Sequence, residues 1–465
     1  MPRSSKPEAL PLTGADCFLR AFEAEVRRTA GASHLSQLVL RLGPGFDVDA
    51  FVRLVTEVAE ANPIVRAPIR RRGGIGAPVY LLDSAVDSSR VRVHVHAGGS
   101  EATGSGRPAS DAASPLGPVP AVFFDRLNDR FDMRRGVLLA FDVVPRGGTS
   151  AGHDVAMTWQ HMLMDGSGSE LFVEHLAQCS ADPAFARDIA ITRAQGGASS
   201  PAVTSLPPTA GARGHLAQQW NLYMQGMAAR PPGSLAGPLR RTSQKLRYEQ
   251  LRLGGDSASA AMQRAKSIAG FLTPMLFFLA VSVRAHQAVA ERRRRVPASW
   301  IVPLPVNMRP KGGQGEVFRT HVSLLWFQVT PGQAADLGVL VEALKAQRLE
   351  AIRAGLVEAG VAAMDFARYA PARVYSHMAR RTFGGELASF FFAYTGEFAA
   401  RARSLCGAPI LDAFHAPSVP PSPGSALVFC LRDGLDVVHV HQQGILNDAE
   451  LACMHEQLLA DLRGS

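Results

Sequence analysis

WQHMLMDGSG, residues 159–168, is the stretch of this chain that carries a recognisable catalytic pattern. An apolar strand is predicted over HDVAMTWQH, residues 153–161, and a helix over SGSELFVEHLAQCS, residues 167–180. His161 and Asp165 stand in the turn between them, four residues apart. A turn that leads from a strand into a helix lies at the edge of a sheet, where a cleft between domains can form. This turn is therefore the predicted functional site.

The residue types in this turn suit proton transfer. Imidazole takes up and returns a proton near neutral pH, which makes His161 a candidate general base. Asp165 can orient the turn or pair with a buried arginine, and Gly166 permits a backbone conformation that a Cβ atom would penalise. The Gly166 N–H could also stabilise a developing oxyanion. The alternative for so short a pattern is a histidine packed in the core that happens to precede a turn.

No metal site is predicted. His161 and Asp165 are too few ligands, and His153 stands at the other end of the strand. The five cysteines are scattered and show no CxxC spacing, which favours reduced, structural thiols over a disulfide framework or a zinc site.

The composition is that of a globular protein outside the membrane. The chain has 465 residues, 47% of them apolar and 19% charged, which is enough for two domains with substantial cores. No apolar run reaches the roughly 18–20 residues that a membrane span needs. The longest, FLTPMLFFLAVSV at 271–283, predicts a buried helix. The N-terminal stretch MPRSSKPEALPL lacks the apolar core of a secretory signal, so a cytoplasmic location is expected.

The net charge of +9 has two interpretations. Arginines are spread along the chain with small clusters at Arg70–Arg72 and Arg292–Arg295, and no nucleic-acid fold signature accompanies them. An arginine-rich composition with solvated helix ends explains the charge without a ligand. The second interpretation is that basic patches attract a phosphorylated cofactor or an acidic carrier protein. Nucleic-acid binding is not predicted.

The chain divides at a Gly/Pro-rich segment. Residues 193–214 are predicted to be a linker between an N-terminal subdomain, 1–192, and a C-terminal subdomain, 215–465. Residues 98–118 are predicted to form a mobile surface loop. Strands and helices alternate in each half, which predicts an α/β fold.

The segment QHMLMDGSG resembles the HHxxxDG motif of the CoA- and carrier-dependent acyltransferase superfamily. This superfamily includes nonribosomal peptide condensation domains, wax-ester synthases and polyketide-associated acyltransferases. Further segments resemble the family in its own order and cover nearly the whole chain: EANPIVRAPIRRR (60–72), FDRLNDRFDMRRGVLLAFDVV (124–144), VPLPVNMRP (302–310), THVSL (320–324) and FFFAYTGEF (390–398).

The resemblance implies a fold and a set of roles. The fold is α/β, with two chloramphenicol-acetyltransferase-like subdomains in a V-shaped pseudo-dimer and a channel between them. His161 matches the catalytic histidine and Asp165 the structural aspartate. Arg309 matches the second-half arginine that pairs with this aspartate, and Gly166 and Asn307 match supporting positions. The alternative for Arg309 is a surface arginine after a strand.

Three departures from the family pattern stand out. Gln160 replaces the first histidine of the motif, and YTG at 394–396 replaces Ser-Asn-x-Gly. Thr320 and His321 stand where a Gly-Asn pair is usual. His321 is then either a second active-site group or a structural histidine. The DFGWG motif of the plant acyltransferases is absent from the sequence, which argues against that branch.

The resemblance implies acyl transfer from a thioester, either acyl-CoA or an acyl or peptidyl carrier protein, to a small-molecule alcohol or amine, in secondary metabolism or in lipid or polyketide biosynthesis. No Ser or Cys nucleophile with a base is evident, so direct transfer with His161 as base is expected. No bound cofactor is expected, since the phosphopantetheine arm comes with the donor, and a monomer is expected. Two alternatives are a free-standing condensation-type enzyme that forms amides and a non-catalytic member that docks a carrier protein.

Overall fold

The structure is a computed structural model that describes residues 8–71, 76–83, 87–97, 117–147, 151–191, 206–207, 209–237, 245–309 and 315–464. Most of the predicted linker 193–214 and of the predicted loop 98–118 lies outside these residues.

The first half of the chain alternates strands and helices, as predicted. Its elements are β1 (Glu8–Pro11), α1 (Gly14–Thr29), β2 (Leu35–Leu42), α2 (Val48–Ala61), β3 (Ile69–Arg71), β4 (Pro78–Leu82), β5 (Arg92–Val95), α3 (Ala121–Leu127), β6 (Leu139–Arg146), β7 (Gly152–Gln160) and α4 (Gly166–Ala181).

The second half contains more helix than the first. Its elements are α5 (Ala210–Ala228), β8 (Leu246–Gly254), α6 (Gly255–Ala269), α7 (Pro274–Arg292), β9 (Trp300–Asn307), β10 (Val322–Val329), α8 (Pro331–Ala334), α9 (Leu337–Arg353), α10 (Leu356–Ala367), α11 (Ala372–Arg381), β11 (Phe391–Glu397), β12 (Ser404–Leu405), β13 (Ala408–Pro417), β14 (Ser425–Leu431), β15 (Gly434–Gln442) and α12 (Asp448–Arg463).

The first large sheet has the strand order β12-β13-β2-β7-β6-β5, and its pairs are antiparallel except for β5 with β6. The strands β12 and β13 come from the second half of the chain, yet β13 pairs along its length with β2. This crossing brings a C-terminal strand next to the strands that lead to the predicted site. Helices α2 and α4 cover one face, where Phe51 meets Phe141 edge to face at 5.5 Å.

The second large sheet has the order β11-β14-β15-β8, and β9 and β10 form a separate antiparallel pair. Helix α7 is the central element of this core, with Phe278 against Phe429 of β14 at 4.9 Å between ring centroids. Residues 271–283 were predicted to be a buried helix, and from Pro274 onward the segment belongs to α7, whose side chains are mostly buried. Phe271 and Leu272 precede the helix and are exposed.

Among the described residues, no single helix is both long and apolar enough to cross a membrane. Helices α6 and α7, which meet at a bend of 99°, pass that criterion by length and composition only when they are taken together.

Candidate functional site

Strand β7 ends one residue before His161. The Gln160 N–H donates the last hydrogen bond of this strand to the Leu138 carbonyl at 2.9 Å. The His161 N–H donates to the His34 carbonyl at 3.2 Å. The Trp159 indole N–H then reaches forward to the Met164 carbonyl at 2.9 Å, which ties down the turn. His161 is partly exposed, while Trp159 and Gln160 are buried. The turn therefore presents the imidazole at the end of the sheet.

Asp165 is the N-cap of α4. Its backbone is extended, and its Oδ1 accepts a hydrogen bond of 2.8 Å from the Gly168 N–H. A capping carboxylate satisfies a free N–H of the first helical turn and lies at the positive end of the helix dipole. The carboxylate is thus fixed by its own helix before any second-half residue contacts it.

Arg309 and Asp165 form a buried ion pair. The Arg309 Nη1 lies 2.9 Å from the carboxylate, and the two side chains are 2% and 5% exposed. The His321 N–H donates to the same carboxylate at 2.7 Å. The two side chains that the sequence analysis expected to meet are therefore in contact, and a second-half backbone group joins them.

Further contacts extend this junction on both sides of the ion pair. The Arg309 Nε donates to the Glu316 carbonyl at 2.8 Å, and the Arg309 N–H donates to the Asn307 Oδ1 at 3.0 Å. The Asn307 side-chain amide donates to the Ser167 hydroxyl in the first turn of α4 at 3.2 Å. We call the contacts of Asp165 and Ser167 with Asn307, Arg309 and His321 the seam. The seam joins the turn after β7 to the end of β9 and the start of β10.

The electrostatics of the seam favour an ionised Asp165. Burial alone would raise the pKa of its carboxyl, but the Arg309 charge and the hydrogen bonds from Arg309 and His321 outweigh burial and lower the pKa below its usual value. An ionised carboxylate with these donors is occupied at both oxygens. Asp165 therefore acts as a positioning residue for the turn.

Burial lowers the pKa of His161 below its usual 6.5, and the nearby Met164 backbone and Asp165 charge offset only part of this effect. The imidazole is then neutral at pH 7. Its Nδ1 is buried and has no hydrogen-bond partner among the residues that the structure describes. A neutral imidazole is the protonation state that a general base requires.

Two histidines beside His161 were not predicted. The ring of His34 lies 5.2 Å from that of His161, and His415 of β13 stacks on Trp159 at 5.4 Å with an interplanar angle of 4°. Burial lowers the pKa of His415 to about 3 and that of His34 well below its usual value, and the proximity of His161 lowers both further. All three rings are therefore neutral at pH 7, so neither His34 nor His415 places a positive charge beside His161.

Gln160 and His321 contrast in their surroundings. Gln160 is fully buried, and neither its amide nitrogen nor its amide oxygen has a hydrogen-bond partner within the described part of the chain. The His321 ring is also fully buried, but its Nε2 contacts the Phe318 carbonyl at 2.9 Å and the Glu316 carboxylate at 3.3 Å. These contacts favour the structural interpretation of His321 over an active-site role.

Close packing against the second half of the chain excludes a Cβ atom at Gly168 but not at Gly166. Gly166 does not have a positive φ, and a Cβ atom there would meet the His415 ring at an ordinary 3.5 Å. A Cβ atom on Gly168 would lie 2.2 Å from the Val317 carbonyl oxygen and 3.1 Å from the Arg309 Nη2. The expectation of conformational freedom at Gly166 was therefore wrong, because the constraint is a close approach by the second half of the chain.

Gly168→Ala is expected to lower the free energy of unfolding by about 1–3 kcal/mol, since the new methyl group forces backbone atoms of the seam apart. Gly166→Ala is the matched control, and its effect should stay under about 1 kcal/mol because no close contact forms there. Urea denaturation of both variants measures the difference. Equal losses in the two variants would contradict the close packing at Gly168.

A cavity of about 660 Å³ lies beside the end of β11. Its lining includes Lys266, Glu397 and Phe398, and the Phe398 ring stacks towards His415 with centroids 6.4 Å apart. The volume is within the range of about 300–1,000 Å³ that is usual for small-molecule sites. His161 is not among the residues that line this cavity.

No protein-family model and no curated protein matches this sequence. Solved structures match over nearly the whole chain. The first condensation domain of the calcium-dependent antibiotic synthetase has a TM-score of 0.66 at 15% identity, with 98% of this chain and 96% of that chain covered. A trichothecene 15-O-acetyltransferase from Fusarium sporotrichioides has a TM-score of 0.65 at 13% identity, with 97% and 95% covered.

A third similar structure is polyketide synthase associated protein 5 from Mycobacterium tuberculosis, with a TM-score of 0.60 at 14% identity and coverage of 98% of this chain and 100% of that chain. The chain therefore has the fold of condensation domains and related acyltransferases. The predicted α/β fold of two chloramphenicol-acetyltransferase-like halves is confirmed.

Proposed function

We propose that this protein transfers an acyl group from a CoA or carrier-protein thioester to the hydroxyl or amine of a small molecule, with His161 as the general base. The observation that supports this most directly is the neutral imidazole of His161, which is partly exposed in the turn after β7. The seam of Asp165 and Arg309 holds the turn that carries it. The names of the similar structures, an O-acetyltransferase and a condensation domain, agree with this chemistry.

In the proposed reaction His161 removes the proton from the acceptor O–H or N–H as the oxygen or nitrogen attacks the thioester carbonyl. The tetrahedral intermediate then expels the thiolate, and the imidazolium returns the proton to sulfur. The products are an ester or an amide and a free thiol. The proton removed from the acceptor ends on the thiol, and His161 returns to its neutral form. Proton transfer of this kind contributes a factor of about 10²–10⁴ to the rate.

The donor supplies its own phosphopantetheine arm, so the proposal includes no bound cofactor. The partners in this proposal are therefore a thioester donor and a small-molecule acceptor.

The test is product formation by the purified chain. The protein is incubated with acyl-CoA donors of several lengths and with acyl-carrier proteins, each with a panel of alcohols and amines, and the products are identified by mass spectrometry. An ester supports the O-acyltransferase form of the proposal, and an amide supports the condensation form. A carrier protein that binds stably and is never deacylated with any acceptor would favour the docking alternative.

A further inference from the structure

A cluster of histidine and glutamate side chains lies on the second large sheet, outside the proposed active site. Glu249 of β8 stands opposite His439 of β15 in the antiparallel register. His455 of α12 packs edge-on against His439 with ring centroids 5.6 Å apart. One ligand atom from each of the three residues lies within 4.8 Å of the others. Two strands and the C-terminal helix thus converge on one point.

The spacing of the two imidazole nitrogens suits a metal ion. The His439 Nδ1 and the His455 Nε2 are 3.4 Å apart. A tetrahedral ion with metal–nitrogen bonds of about 2.0–2.1 Å holds two ligand nitrogens about 3.3–3.4 Å apart. The Glu249 side chain is 22% exposed, and its carboxylate exchanges the contact with the His441 Nε2 for the ion. The distance between the two histidine nitrogens already matches a tetrahedral ion.

Polar groups behind the cluster already orient these side chains. The Ser425 hydroxyl lies 3.3 Å from the His439 Nε2 and 3.0 Å from the His286 Nε2. The His441 Nε2 lies 2.9 Å from the Glu249 Oε2. Histidine ligands in metal sites usually hold their second nitrogen against such a partner, which fixes the tautomer and the ring orientation.

We propose that Glu249, His439 and His455 form a binding site for a divalent transition-metal ion, of which zinc suits two nitrogen ligands and one carboxylate oxygen best. Water takes the fourth position on the side where Glu249 meets solvent. The ion ties α12 to the sheet, so it stabilises the second half of the chain independently of acyl transfer. No local spacing pattern predicts this site because Glu249 stands far from the two histidines along the chain.

The test uses the full chain without an affinity tag, stripped with a chelator and titrated with zinc chloride by calorimetry. We expect one ion per chain and a higher melting temperature with zinc. Because the loss of an outer-shell partner alone costs about 10–100-fold in affinity, His455→Ala and Glu249→Gln should each weaken binding by more than about 100-fold. Cobalt substitution should give the absorption of a tetrahedral site in the wild type and not in these variants.

Two variants serve as controls. His215→Ala removes an exposed histidine of α5, and Cys453→Ser removes the thiol on α12 that is not fully buried. Both should bind zinc as the wild type does. Glu249→Gln changes a partly exposed side chain at constant size, so it keeps the test valid even if His455→Ala unfolds. Absence of zinc binding by the wild type, or unchanged binding by Glu249→Gln, would overturn the proposal.

Discussion

His161→Ala is expected to lower kcat for acyl transfer by about 10²–10⁴-fold, because the acceptor loses its general base. Stability should change little, since the His161 side chain is partly exposed and its Nδ1 has no partner that the substitution would leave unpaired. The measurement is product formation by mass spectrometry at saturating donor and acceptor, with circular dichroism to check folding. KM for the donor should remain within a few-fold of the wild type.

His377→Ala is the matched control for this prediction, because it removes an exposed histidine of α11. It should retain the wild-type kcat. A His161→Ala enzyme that remains folded and is as fast as the His377→Ala enzyme would remove His161 from the mechanism.

Arg309→Ala is expected to lower the free energy of unfolding by about 3–5 kcal/mol, because it leaves the Asp165 carboxylate buried without its partner charge. The Gly168 and His321 N–H groups still reach the carboxylate, but they do not neutralise it. Urea denaturation measures the loss. Activity should fall as well, since the carboxylate no longer holds the turn that carries His161.

Two variants isolate the ion pair. Arg373→Ala removes an exposed arginine of α11 and should change the free energy of unfolding by less than about 0.5 kcal/mol. The double variant Asp165→Asn/Arg309→Ala removes both charges and should recover part of the stability that Arg309→Ala loses. A loss in Arg309→Ala no larger than that in Arg373→Ala would contradict the buried role of Arg309.

The local structure around residues 159–168 was predictable because it depends on neighbours in sequence. An apolar strand, a turn and a helix-forming segment predict the strand and the helix, and both are confirmed as β7 and α4. The position of Asp165 as the N-cap of α4 was not predicted. The contact between Asp165 and Arg309 was expected only from the resemblance, because no local pattern relates two residues so far apart. The structure supplies the backbone donor from His321, which a sequence pattern does not show.

The rest of the site depends on tertiary contacts. His34 lies beside His161 because β2 pairs with β7, and His415 stacks on Trp159 because β13 crosses from the second half of the chain to pair with β2. That strand was not predicted, and neither were α1 and the helices over residues 337–381. Gly166 and Gly168 look alike in the sequence, and the close approach of the Val317 carbonyl and the Arg309 Nη2 to Gly168 distinguishes them.

Gln160, which replaces the first histidine of the HHxxxDG motif, has an unusual environment in the structure. The side chain is buried at the end of β7 without a hydrogen-bond partner in the described residues. A buried amide without partners costs stability, on the order of 1–3 kcal/mol for an unsatisfied polar group.

The most direct test of acyl transfer by His161 compares wild type and His161→Ala for thiol release from one thioester donor, with and without an acceptor that gave product. We expect the wild type to release free thiol in step with new ester or amide, and we expect this release to require the acceptor. His161→Ala should release thiol no faster than the donor alone. Acceptor-dependent release at equal rates by both proteins would contradict acyl transfer by His161.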